Sequence, residues 1–301
     1  MSESTASVQH SKSAPTSVEY GVMCPADRMD NQQLSAYARG AEEAGIDTIW
    51  VPELYGRDPF VTCALILGAT RNVRVGTAIA NVYVRDARAT KAAAYSLADG
   101  YGDRFDLGLG LSNKVGNAPR GHDWLAPLKK MNDFIDRFDE AELMFPQSGH
   151  VPRFLAAHGP KLMAFAGNRL DGAFTYLQTL DYSAEAKHRL GDRKLILMQP
   201  SVFIEDPAQA RDMARKAIAV YMPLTNYHRA WRERGFADAD FAEGGADHFI
   251  DALIAWGSVD SIRERYQAQR NQGVDHIIII PVKLDMHSAS GWCTVEQLVQ
   301  G

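Results

Sequence analysis

Asn72-Val73-Arg74-Val75-Gly76-Thr77-Ala78-Ile79-Ala80-Asn81-Val82-Tyr83-Val84-Arg85 is the stretch whose reading decides the fold. Its ends are β-branched and aromatic, so it reads as one long β-strand. The middle places Gly76, Ala78 and Ala80 at period two, which strips one face of the strand of side chains. Either a flat ligand lies against that face, or the small residues let a helix pack closely or fit a barrel's taper.

Working outward, Val18 to Cys24 is a short apolar run closed by Pro25, a first strand. Met29 to Ala44 has helical spacing of Leu34, Tyr37, Ala38 and Ala41, with Asp30 placed to cap its start and Gly45 to stop it. Ile46 to Glu53 follows as a second strand. The same helix, glycine, strand junction recurs at Gly273 before Ile277-Ile278-Ile279-Ile280, and in related form before Phe105 to Gly110 and Ala173 to Leu177. Arg153 to Ala157 and Lys194 to Ile204 complete eight strands. Helical segments are expected at Pro59 to Ala69, Ala89 to Ala98, Met131 to Phe145, Lys161 to Ala166, Pro207 to Tyr221 and Val259 to Gln272.

Strands without alternation imply burial on both faces, and their regular exchange with helices implies an α/β fold, a single (β/α)8 TIM barrel with its site on the C-terminal face. A doubly wound sheet would need a Gly-x-Gly-x-x-Gly after the first strand, and Met23-Cys24-Pro25-Ala26-Asp27 is nothing like it. Leu107-Gly108-Leu109-Gly110-Leu111-Ser112 lacks the third glycine. The expected organisation is an N-terminal disordered extension at 1–17, the barrel at 18–285 and a C-terminal tail at 286–301. The irregular stretch from Thr225 to Asp247 reads as an excursion over the barrel mouth.

A length of 301 residues, 46% hydrophobic and 23% charged, suits one such barrel. Net charge is -5, with cations scattered among acids, which disfavours nucleic acid and membrane as partners. Cys24, Cys63 and Cys293 are odd in number and form no CxxC, which argues against a disulfide scaffold or zinc site and for a reducing cytoplasm. The Ser- and Thr-rich start has neither the basic residues nor the apolar core of a signal peptide.

The C-terminal strand ends pick out Glu53, Asn81, Ser112, Asn113, His158, Gly159, Tyr176, Gln199 and Lys283. These are polar groups without a nucleophile motif or metal cluster, which suits a bound organic cofactor and no metal. The segments Glu42 to Glu53, Arg57-Asp58-Pro59-Phe60, Ala69 to Thr77, Arg104 to Gly110 and Ala156-Ala157-His158-Gly159-Pro160-Lys161 resemble the successive signatures of the bacterial luciferase-like monooxygenase superfamily. Within it, Gly76 to Arg85 resembles the branch that uses the deazaflavin coenzyme F420.

The resemblance implies a non-prolyl cis peptide at Ala78-Ile79, against which the coenzyme's central ring rests. It implies that Glu53 and Asn81 lie near that ring and that Ser112 and Asn113 form the loop beside it. His158 and Gly159, with Lys161 and Leu162, match the turn that opens a short helix, whose free N–H groups can hold a phosphate. Two departures bear on chemistry: Leu54 stands where sugar-phosphate dehydrogenases of this branch carry a histidine, and Asn113 where they carry a glutamate. The proton donors left at the mouth are Tyr55, Tyr83, His158 and Tyr176.

The expected activity is hydride transfer between F420 and a small-molecule or peptide-like substrate, reducing a C=C or C=N bond. An FMN-dependent monooxygenase is the alternative, and a non-catalytic cofactor-binding barrel the third reading. The resemblance favours F420 over FMN: flavin-binding relatives present an arginine after strand four to the FMN phosphate, and Leu111-Ser112-Asn113-Lys114 has none before Arg120, although Lys114 could serve a phosphate as a point charge. Apolar residues around most of the Pro59 to Ala69 helix predict a homodimer through that region, as the resemblance also implies.

Overall fold

The computed structural model describes residues 19–147 and 149–301, so the expected extension at 1–17 lies outside the described residues. The strands are β1 (Glu19–Met23), β2 (Thr48–Val51), β3 (Arg74–Thr77), β4 (Ala80–Asn81), β5 (Phe105–Gly110), β6 (Arg153–Ala156), β7 (Gly172–Tyr176), β8 (Lys194–Val202), β9 (Ala255–Trp256) and β10 (His276–Val282). All pair in parallel, in the order β10-β1-β2-β3-β5-β6-β7-β8, and β10 pairs back onto β8 to close the ring. Eight strands thus make a closed TIM barrel. β4 continues β3 beyond a break, and β9 adds to β8 outside the ring.

Around it run α1 (Asn31–Glu43), α2 (Pro59–Ala69), α3 (Ala87–Tyr101), α4 (Lys114–Asn117), α5 (Pro127–Glu140), α6 (Pro160–Arg169), α7 (Leu180–Leu190), α8 (Pro207–Ile218), α9 (Thr225–Glu233), α10 (Asp247–Leu253), α11 (Val259–Asn271) and α12 (Ala289–Gln300). Asp30 caps α1 in a capping box with Gln33, and Asp58 caps α2, whose first residue is Pro59. The helix expected at Met131 to Phe145 instead begins at Pro127, and Ala141 is already extended. Its buried residues Met131, Phe134, Ile135 and Phe138 keep the helical spacing. The segment expected as a tail, 286–301, carries α12, whose Val295 and Leu298 are buried and whose Trp292 packs edge-on to Tyr37 at 4.9 Å.

The stretch read as one long strand is broken. β3 ends at Thr77, the Ala78-Ile79 peptide is cis, β4 holds only Ala80 and Asn81, and the chain then turns until Asp86 caps α3. The bare face is not open either. A Cβ at Gly76 would stand 2.4 Å from the Trp50 indole, and one at Gly21 2.7 Å from it, so the flat group lying against Gly76 is the protein's own. Trp50 crosses the barrel interior edge-on to Phe174 at 5.1 Å and Phe154 at 6.1 Å. Its Nε1 donates to His276 Nε2 at 3.0 Å, which leaves the His276 proton on Nδ1, 3.2 Å from Glu19 Oε2. Lys194 also reaches Glu19, at 2.6 Å, and these hydrogen bonds hold the Glu19 carboxyl down at about 2. Beside them Arg74 forks onto the buried Asp106. The N-terminal end of the barrel is therefore plugged by paired charges and the C-terminal end is left for chemistry.

Candidate functional site

The break between β3 and β4 is fitted to two glycines of β5. Thr77 Oγ1 donates to the Gly108 carbonyl and accepts from its N–H, and the Thr77 carbonyl lies 1.9 Å from where a Gly108 Cβ would stand. At Gly110 the missing Cβ gives its place to the Ile79 side chain, whose Cγ1 would be 2.6 Å away, with Ala156 Cβ at 3.3 Å. The pair of glycines read as an incomplete phosphate loop therefore makes room for the break. Ile79, Gly110 and Ala156 together form a low apolar floor at the mouth, with Ala78 buried beneath against Trp50.

One side of the floor is held by charge. Glu53 accepts from the Asn81 N–H at 2.7 Å and from Arg85 Nη1 at 3.0 Å, while Arg85 Nη2 meets Asp58 at 2.6 Å. The Glu53 side chain is 7% exposed, so it is a clamp on the backbone of the break. The Asn81 side chain is taken up as well: its Oδ1 accepts from the Tyr83 N–H and its Nδ2 donates to Asn117. Ser112, at φ 56°, and Asn113, the cap of α4, form the adjoining loop.

The opposite side is the start of α6. Gly159 supplies no capping side chain and Pro160 has no N–H, so the N–H groups of Lys161 and Leu162 face outward without an intrahelical acceptor. Above them stands Arg229 of α9, its Nη2 3.3 Å from where a Gly159 Cβ would be and its Nε 3.9 Å from Glu233, its one ion-pair partner among the described residues. Sequence alone missed Arg229, Arg85 and Asn117. The excursion over the mouth was expected, but nothing local sets position 229 against position 159.

The four proton-donor candidates are placed differently. His158 is half-buried, its ring 4.8 Å from that of Tyr227, its Nδ1 3.4 Å from Gln178 Nε2 and its carbonyl accepting from Tyr182. Burial pushes the imidazole down to about 4, so it is neutral at pH 7. The Tyr83 ring is buried and stacked on Trp124 at 5.5 Å, and its hydroxyl accepts from the Leu125 N–H. Tyr55 is 79% exposed on a loop whose backbone N–H groups at Tyr55, Gly56 and Arg57 all donate to Asp27. Its hydroxyl stands 3.5 Å from the Cβ position of Gly116, over the loop after β5. Tyr176 is buried against Tyr221 and Tyr227.

Among the described residues no group of three or more His, Cys, Asp or Glu is placed to hold a metal, and no helix is long and apolar enough to cross a membrane. The chain is 29% identical to a 5,10-methylenetetrahydromethanopterin reductase of Methanolobus tindarius, over 46% of this chain and 48% of that protein. It is 24% identical to the enzyme of the same name from Archaeoglobus fulgidus, over 83% and 90%. A solved F420-dependent secondary alcohol dehydrogenase, holding an F420-acetone adduct, superposes with a TM-score of 0.76 at 13% identity, over 94% of this chain and 98% of that one. Residues 12–276 match the model of one family, and the chain belongs to it: the luciferase-like monooxygenases.

Proposed function

We propose that the chain is an oxidoreductase that moves a hydride between coenzyme F420 and a small organic substrate. The observation that carries the reading is the pairing, at one mouth, of the flat floor of Ile79, Gly110 and Ala156 with an anion cradle at the start of α6 beneath Arg229. A ring with a phosphate-bearing tail fits that pair of features. The solved relative named for F420 supports the choice of ring.

When bound, the deazaflavin supplies or accepts the hydride; the protein binds, orients and handles the proton. Glu53, fixed by Arg85, holds the break through the Asn81 N–H and so sets the height of the floor. The N–H groups of Lys161 and Leu162 and the Arg229 guanidinium would hold the tail's phosphate. We assign the proton donor to Tyr55, whose hydroxyl has no hydrogen-bond partner among the described residues and stands over the loop after β5. His158, neutral in its half-buried place, orients the substrate or tail through a single hydrogen bond. The substrate is an electrophile with a C=C or C=N bond. FMN is the second reading, favoured by the monooxygenases that give the family its name.

Fluorescence quenching of the protein by each coenzyme tests this reading. Micromolar F420 affinity with weaker FMN affinity is expected, and FMN binding with none for F420 would replace it by the monooxygenase. A homodimer belongs to the same proposal. α2 presents Val61, 61% exposed, and Leu65, 39% exposed, and a monomeric mass at micromolar concentration would refute it.

A further inference from the structure

Asn117 belongs to none of the strand ends that carry the site, yet it is 1% exposed and uses its whole amide. Its Oδ1 accepts from Asn81 Nδ2 at 2.8 Å, and its Nδ2 donates to the Leu111 carbonyl at 2.8 Å and the Asn113 carbonyl at 3.0 Å. Asn81 in turn receives the Tyr83 N–H and gives its own N–H to Glu53, which Arg85 holds. These bonds form one continuous chain across the mouth, from the end of β2 through the broken β3-β4 strand to the loop after β5.

The direction of every bond in that chain is fixed. Leu111 and Asn113 offer only carbonyl oxygens, so the NH2 group of Asn117 must face them and its oxygen must face Asn81. Asn81 must then present NH2 to Asn117 and oxygen to the Tyr83 N–H. A carboxylate at 117 would keep the acceptor for Asn81 but set its other oxygen against two carbonyls. A short apolar side chain would leave Asn81 Nδ2 and the Leu111 carbonyl without these partners, while the Asn113 carbonyl would keep only the Asn117 backbone N–H at 3.1 Å.

We infer that Asn117 is a positioning residue for the coenzyme ring: it locks the break that forms the floor to the loop that forms the wall, without touching the ring. The inference rests on the reading that a ring coenzyme sits at Ile79. A merely structural amide would stabilise α4, and its loss would lower the melting temperature and nothing else. A positioning amide sets the spacing between floor and wall, so its loss alters the bound ring's environment and the turnover of bound substrate.

The test compares wild type, Asn117→Asp and Asn117→Ser, each purified whole, by thermal melting, coenzyme titration and the absorption spectrum of the bound coenzyme. F420 and FMN are both used as probes. Either variant, folded at the assay temperature, is expected to bind coenzyme at least tenfold more weakly and to shift the bound absorption band. With an electrophile that the wild type reduces, kcat is expected to fall more than KM rises. Should Asn117→Asp fail to fold, Asn117→Ser, which is smaller and leaves room for water, carries the comparison. Folded variants with wild-type affinity and an unshifted bound spectrum would overturn the inference while leaving the coenzyme reading intact. If wild type binds FMN and not F420, the F420 reading falls and the same comparison with FMN decides the role of Asn117. Wild type that binds neither would overturn both.

Discussion

Gly108→Ala is the sharpest test of how the mouth is built. The new Cβ would lie 1.9 Å from the Thr77 carbonyl oxygen and 2.8 Å from Phe174 Cε2. A carbon against a carbonyl oxygen settles near about 3.3 Å, so the two backbones must part by about 1.4 Å. Neither can do so cheaply, because Thr77 Oγ1 bonds both the N–H and the carbonyl of Gly108, at 3.0 and 2.7 Å. Overpacking a core costs about 1–3 kcal/mol where side chains can yield. With backbone on both sides and two buried hydrogen bonds at stake, ~3 kcal/mol or more is expected. At about 2–4 °C per kcal/mol for a domain somewhat smaller than this one, the melting temperature should fall by at least about 6 °C. Gly110→Ala meets side chains and no backbone, Ile79 Cγ1 at 2.6 Å and Ala156 Cβ at 3.3 Å, and should cost less, about 1–2 kcal/mol. Gly100→Ala, in α3 with nothing within 4 Å of its Cβ, should stabilise by ~0.5–1 kcal/mol through helix propensity. Thermal melts of the three variants give the order directly. A Gly108→Ala protein melting within about 2 °C of wild type would refute the fitted break.

Other expectations follow from the same site. Gly159→Val should leave the fold intact, because φ there is -108°, yet weaken coenzyme binding by ~1 kcal/mol or more by filling the cradle. Arg229→Ala should weaken it by a similar amount, and more so at low salt; unchanged titrations of both variants would remove the α6 start from the site. His158 titrates near 6.5 when unfolded and near 4 when folded, so the unfolded chain takes its proton first. That contribution to stability, up to ~3 kcal/mol, is complete above pH 6.5 and is lost as the pH falls to about 4. His158→Gln should flatten the stability profile within that window. Glu19 acts in a lower one: its stabilisation is present above about 4.5 and is lost as the pH falls through about 2. A profile of His158→Gln that still falls as wild type does between pH 6.5 and 4 would show that other groups dominate.

What the sequence could reveal was what local chemistry decides. Continuous apolar runs such as Ile277 to Ile280 need burial on both faces, and left-handed glycines stop helices before β2 and β10, at Gly45 with φ 78° and Gly273 with φ 93°. That pattern suffices for a barrel. It could not reveal which partner fills a bare face, since Gly76 is as compatible with a ligand as with the indole of Trp50, and only the pairing of Trp50 with Gly76 across β2 and β3 decides. The same holds for Leu107-Gly108-Leu109-Gly110: without the neighbouring strand, room for a phosphate and room for another backbone look alike.

The residues of the mouth that escaped notice share one property. Arg85, Asn117 and Arg229 act on groups in other elements: Arg85 on Glu53 and Asp58, Asn117 on Asn81 and on Leu111 at the end of β5, Arg229 on Gly159. None has a neighbour in sequence that would announce the contact. Glu53, two residues beyond β2, and Asn81, at the end of β4, could by contrast be picked out from the sequence, but the use of their polar atoms could not. Their polar atoms are spent on one another and on Arg85, Asn117 and the Tyr83 N–H, which leaves them little to offer a ring. The strand ends here supply a rigid frame, and the groups free to meet a ligand lie on the loops and on α6 and α9. On the proposed reading, selectivity among electrophiles is to be sought in Tyr55 and His158, whose substitution leaves in place the frame that holds the floor.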